Sequence, residues 1–228
     1  MLNLIKRYLA RLGLRATKKV HELDRFFGDV RGVIHVGANT GQERDLYDSF
    51  GLDVIWIEPI PEVFAELEKN TADFPKQRAF RRIFTDRSGQ EIELKIANNN
   101  GAASSILDIG DLTDIWPEIE YTDVLRMTSQ TLGDFLEAEA VDVTVYDALV
   151  MDTQGSELLV LKGAGDRIAE FRYIKTEAAD FDAYRGCCQV EDLAAYLARF
   201  GFAELRRHAF ADNGQGGRYY DVLFAREG

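Results

Sequence analysis

The stretch VIHVGANTGQE, residues 33–43, restricts the fold more than any other part of the chain. Val33, Ile34 and Val36 read as a short buried strand, and residues 42–50 as the start of a helix, so residues 37–41 form a strand-to-helix turn. A turn of this kind presents backbone N–H groups at a helix N-terminus. Glycine at 37 and 41 allows positive φ and close approach of a ligand, and Asn39 is the non-glycine type that best tolerates the left-handed region. A dinucleotide fingerprint needs Gly-x-Gly-x-x-Gly, whereas the matching positions are Gly37, Asn39 and Gln42. A ligand turn of another kind and a plain βα connection both stay open on these residues.

The alternation continues downstream. GLDVIWIEP gives a second strand ending at Glu58, and Pro61 opens a helix with Val63, Phe64 and Leu67 on one face. RAFRRIF supplies a third strand, and DRSGQEIELKIA a turn into an extra one. The polar loop NNNGAASSIL follows, then TDVLRMTS as a further strand and TLGDFLEAEA as a helix capped by Thr131. YDALVMD is a continuous apolar run of the central parallel type, and GSELLVLKGAG a helix after it. FRYIKTEAAD is a strand and QVEDLAAYLARFGF an amphipathic helix ending at Gly201. AELRRHAF and RYYDVLFARE flank ADNGQGG as a hairpin, placing an antiparallel strand at the end of the sheet. The expected fold is α/β, a Rossmann-like sheet, mostly parallel with an antiparallel C-terminal strand and extra strands inserted after the third.

With 228 residues the chain suits one such domain. Its net charge of −12 argues against general nucleic-acid binding, which needs a basic surface. The charge is uneven: the first 20 residues carry six cations, from Lys6 to Lys19, and no acid, leaving −18 on the remainder. Residues 1–28 are therefore set apart as a basic N-terminal helical segment from a domain at 29–228. Leu2, Ile5, Leu9 and Leu12 recur at helical spacing there, which fits peripheral contact with an anionic membrane, packing on the domain, or a homodimer contact. The segment is too polar to span a bilayer. Cys187 and Cys188 make neither a disulfide framework nor a zinc site, which suggests a reduced cytoplasmic setting.

In an open parallel sheet, ligands bind beyond the carboxyl ends of the strands. Glu58 stands there, about 20 residues after the glycine turn, where a carboxylate can hold both hydroxyls of a ribose. Asp152 and Glu177 end two neighbouring strands and could orient a hydroxyl, act as general base or hold a divalent metal; capping or ion pairing fits them equally. Ser104 and Ser105 could line an acceptor mouth or cap a turn. His208 is a further candidate base, or a surface histidine on a late strand.

The chain resembles the FkbM family of S-adenosylmethionine-dependent methyltransferases. The resemblance rests on five pieces in order: VIHVGANTGQE, WIEPIPEVFAELEKN, FTDRSGQEIELKIANNNGAASSIL, DALVMDTQGSELLVLKGAG and YIKTEAADFDAYRGC followed by a helix ending in FGF. It implies a class I methyltransferase fold and O-methylation of a sugar, glycan or natural-product hydroxyl, hence a small-molecule or glycan acceptor. By that resemblance Gly37, Ala38, Asn39, Thr40 and Gly41 would wrap the methionine part of the cofactor and Glu58 its ribose. Pro59 and Ile60 would meet the adenine, with Asp86 near its amino group, and Asp152 would close the site. His35 stands two residues before the first glycine, where an acid is common in methyltransferases, so Glu43 becomes the candidate partner of the cofactor's ammonium group. No metal ligand set is assigned. Two rivals remain, a cofactor-binding scaffold without activity in glycan assembly and a nicotinamide-dependent oxidoreductase.

Overall fold

The computed structural model describes residues 21–226. A seven-stranded sheet carries the domain, in the order β3-β2-β1-β6-β7-β9-β8. Its first half comprises β1 (Gly32–Val36), α1 (Arg44–Phe50), β2 (Asp53–Ile57), α2 (Pro61–Thr71) and β3 (Gln77–Phe80). An antiparallel ribbon of β4 (Glu91–Ala97) and β5 (Tyr121–Thr128) is then inserted as a separate two-stranded sheet. The chain returns through α3 (Leu132–Ala138), β6 (Ala148–Met151), α4 (Glu157–Ala164), β7 (Tyr173–Ala179) and α5 (Val190–Ala198) to β8 (Phe202–Asp212) and β9 (Arg218–Arg226). β9 runs antiparallel and lies between β7 and β8, so the hairpin's first strand, not the last, forms the sheet edge.

The continuous apolar runs read from the sequence are strands buried on both faces. On one face Ile34, Ile55, Leu149 and Ile174 pack against Leu132, Phe135, Val160 and Leu193 of the helices. On the other, Val33, Val54, Trp56 and Ala148 lie under Tyr47 of α1 and under Leu23, Phe26 and Phe27. These last three belong to a 3-10 helix at Glu22–Asp29, whose entry His21 caps by accepting from Leu23 N. The amphipathic repeat at residues 2–12 lies outside the described residues; the 3-10 helix that ends the segment is packed on the sheet through Leu23, Phe26 and Phe27. Asp24 from this 3-10 helix meets Lys175 of β7 at 2.8 Å.

Turn chemistry follows the residue types. Thr131 caps α3 by accepting from Asp134 N at 3.0 Å. Gly37 and Gly41 have φ of 81° and 72°, but their near neighbours are protein atoms. A Cβ at Gly37 would lie 1.8 Å from the carbonyl oxygen of Asp152, and one at Gly41 2.7 Å from Leu67. The glycines therefore let β1 close onto β6 and the turn onto α2, in addition to shaping a ligand loop.

Candidate active site

A cleft opens beyond the carboxyl ends of β1, β2 and β6, holding about 930 Å³ counted out to its mouth. Glu58 forms its organising side chain. Though 4% exposed, its carboxylate accepts from the backbone N–H of Asn39 and of Ile60, each at 2.9 Å. It thus joins the glycine turn, where Asn39 has φ 45°, to the segment entering α2. Burial raises its pKa to about 7, opposed by those two N–H donors. Two N–H bonds leave part of the carboxylate's acceptor capacity free toward the cleft.

His35, Gly37, Ala38, Asn39, Glu43, Pro59 and Ile60 also line the cleft, so the structure brings these sequence candidates together. His35 is buried, 3.1 Å from the Tyr47 hydroxyl, and burial with Lys175 nearby holds its pKa down at about 3, so it is a neutral wall. Glu43 sits at the N-cap of α1, its pKa raised by burial. Thr40 and Gly41 do not line the cleft: their half of the turn faces α2, with Asn70 donating to the Thr40 carbonyl at 2.9 Å. Asp86 is also off the lining, because the chain turns away after Phe84 to pair with Gln130; Arg82, Ile83 and Phe84 occupy that wall instead.

Asp152 stands at the wall between this cleft and a second cavity of about 1000 Å³, and lines both, as does Gln154. Glu177 lines the second cavity. Burial is the main cause that pushes both carboxyls up, and each is pushed further by the other acids around it. The pair therefore competes for a proton near neutral pH. Asp152 Oδ1 accepts from the Gln154 amide, and Gln154 Oε1 accepts from the Tyr184 hydroxyl at 2.5 Å. Glu157 braces this loop from beneath, accepting from the N–H groups of Thr153 and Gly155 at 2.9 and 3.2 Å.

Three sequence candidates take other places. Ser104 lines the cofactor cleft, its hydroxyl accepting from Ala97 N at 3.0 Å. Ser105 lines neither cavity; its buried hydroxyl donates to the Gln154 carbonyl at 2.7 Å and so ties the inserted ribbon's loop to the loop after β6. His208 is exposed on the edge strand β8, its ring 5.1 Å from that of His21, and lines neither cavity, which is the place of the surface histidine on a late strand that the sequence also offered. Gln154, Glu157, Tyr184 and Tyr219 were not anticipated. The string DTQGSE, residues 152–157, carried a signal for Gln154, since it stands between a strand-end acid and Gly155, where a turn is expected; its φ is 52°. Among the described residues no group of three or more His, Cys, Asp or Glu side chains is arranged to hold a metal ion.

A mostly parallel sheet with a reversed strand inserted next to its last edge, and a cleft at the strand ends, is the arrangement of the class I methyltransferase fold. Residues 35–204 match the Methyltransferase FkbM domain, and the chain belongs to that family. No curated protein matches the chain significantly. Among solved structures, an uncharacterized protein from Listeria monocytogenes serotype 4b is similar at 7% identity and TM-score 0.52, over 92% of this chain and 68% of that one. Magnesium protoporphyrin IX methyltransferase from Synechocystis PCC 6803, solved with bound SAM, gives 12% identity and TM-score 0.46 over 99% and 78% of the two chains. A TehB-like SAM-dependent methyltransferase from Corynebacterium glutamicum gives 15% and 0.43 over 99% and 96%. Likeness at this level concerns the fold.

Proposed function

We propose that this protein is an S-adenosylmethionine-dependent O-methyltransferase acting on a hydroxyl of a sugar, glycan or natural product. The observation that carries the reading is Asp152, which faces the cofactor cleft on one side and a second cavity on the other. The residues present fit the cofactor. Glu58 keeps acceptor capacity for a ribose diol after satisfying two backbone donors, Pro59 and Ile60 with Ile83 and Phe84 give an apolar slot for a flat base, and Glu43 offers a carboxylate to an ammonium group.

When bound, the cofactor supplies a methyl group on a positively charged sulfur, and the chemistry left to the protein is alignment and management of the acceptor's proton. Asp152 suits that second task, because a base raised toward neutral pH takes a proton better than an ordinary carboxylate. Gln154, itself held by Tyr184, fixes its rotamer. Glu177 retains a proton beside it and so orients the acceptor oxygen by donating.

Calorimetry with S-adenosylhomocysteine and NAD, followed by transfer of labelled methyl from S-adenosylmethionine to a panel of glycans and small alcohols, tests the reading. Binding of the first but not NAD, with label appearing in an ether, supports it. Binding without transfer to any acceptor favours the inactive scaffold, and binding of NAD alone favours the oxidoreductase.

A further inference from the structure

The second cavity differs in chemistry from the cleft beside it. The cleft is lined by Arg82 and His35, but no lysine, arginine or histidine lines the cavity, where the charged side chains are Asp152, Glu177 and Glu118. Its apolar wall is aromatic: the ring of Tyr219 packs at 6.1 Å from Trp116 and 5.5 Å from Phe210. Two polar groups in it have unused bonding capacity. Tyr219 is 4% exposed, yet its hydroxyl makes no hydrogen bond to another described residue, and the Glu177 carboxylate receives none. A part-buried hydroxyl and carboxyl left without partners are costly unless a ligand or water completes them.

We propose, on the footing of the methyltransferase reading above, that this cavity is the acceptor site and that it selects by charge, admitting an uncharged polyhydroxylated ring and turning away one that carries phosphate, sulfate or carboxylate. An aromatic wall accepts the C–H face of such a ring. The carboxylates, the Tyr219 hydroxyl and the amides of Asn98 and Asn99 accept from or donate to its hydroxyls. An anionic substituent meets the charged Glu118 and the ionisable Asp152 with no cation among the lining residues, in a partly enclosed space where the repulsion is weakly screened, and it would have to be taken in beside a Glu177 that already holds its proton against neighbouring acids. Lys175, whose charge acts on Glu177 from outside the cavity lining, is held by Asp24 at 2.8 Å. The basic segment at residues 6–19 suits an anionic surface, so surface attraction and acceptor selection are separate properties of this chain.

The test uses the full chain saturated with S-adenosylhomocysteine and three epimeric methyl hexopyranosides, each paired with its 6-phosphate and its uronate, with binding followed by ligand-detected NMR. At least one neutral ring is expected to bind at least tenfold more tightly than its two anionic partners at low salt, with the gap narrowing as salt rises. Glu118→Lys at the exposed rim should bring the phosphate within about threefold of its neutral partner. Trp116→Ala should weaken the neutral ring at least tenfold, and neither substitution should change S-adenosylhomocysteine affinity. An anionic member binding as tightly as its neutral partner, a gap untouched by Glu118→Lys, or no binding by any neutral ring overturns the proposal. Failure of the wild-type chain to bind S-adenosylhomocysteine, measured in the same samples, overturns the methyltransferase reading instead.

Discussion

The pH dependence of cofactor binding isolates Glu58. In the free protein its pKa is raised from 4.5 to about 7, so between those values the folded chain binds a proton that the unfolded chain has released. A folded-state pKa above the unfolded value contributes stability below pH 4.5 that is lost as pH rises through 7, here about 3 kcal/mol at 1.36 kcal/mol per unit. A ribose diol donating to the carboxylate favours the ionised form and so opposes that loss. If the bound form stays ionised throughout, affinity for S-adenosylhomocysteine should rise about thirtyfold from pH 5.5 to 8, or about 2 kcal/mol. Calorimetry in two buffers of different ionisation enthalpy measures both the affinity and the proton released. Glu58→Gln should flatten this dependence and weaken binding at pH 8 by roughly 1.5–3 kcal/mol, because its amide also faces the N–H of Asn39 or Ile60 without accepting from it. An affinity that is flat in the wild type, or a Gln variant that binds like it with an unchanged melting curve, refutes the assignment of Glu58.

Asp152→Asn should lower kcat by about 100-fold or more while S-adenosylhomocysteine affinity changes little, since the loss falls on the transition state; Glu177→Gln should act in the same direction but less, read from kcat against KM. Activity that persists after EDTA treatment would show the carboxylates acting without a metal, and activity lost and restored by magnesium would assign them to one. Gly37→Ala, whose Cβ would meet the Asp152 carbonyl at a φ of 81°, should cost about 3 kcal/mol or more and lower Tm by roughly 6 °C or more by calorimetry. Asp24→Asn should lower Tm by leaving Lys175 short of its closest partner, and Lys175→Met added to it should recover part of the loss, as expected of a part-buried pair.

Legibility from sequence followed the range of the forces involved. Buried parallel strands such as DALVMD and capped helices such as the one after Thr131 depend on local pattern, and their order fixed the sheet. The position of Glu58 in the cleft was readable because it needs only the end of an apolar strand at a fixed distance from a glycine turn. The place of Ser105 was not, because what decides it is a contact 49 residues away, whereas the exposed place of His208 on a late strand was among the readings that the sequence offered. The place of Asp86 off the cleft lining was not readable, because the chain leaves the cleft after Phe84 through a bridge to Gln130, which leaves no periodic trace. Tyr184 and Tyr219 enter from the far end of the chain, and aromatic residues in that region are equally compatible with core.

The bond from Ser105 to the Gln154 carbonyl makes the loop of the inserted ribbon and the loop after β6 one mechanical body. Gln154 belongs to both cavities, so this body forms the partition between two rooms. A displacement of Gln154 would reshape both rooms at once, without any contact between their occupants. Whatever factor the cofactor imposes on acceptor affinity, the acceptor must impose on the cofactor. Ser105, which touches neither, is where that reciprocity can be weakened in both directions at once.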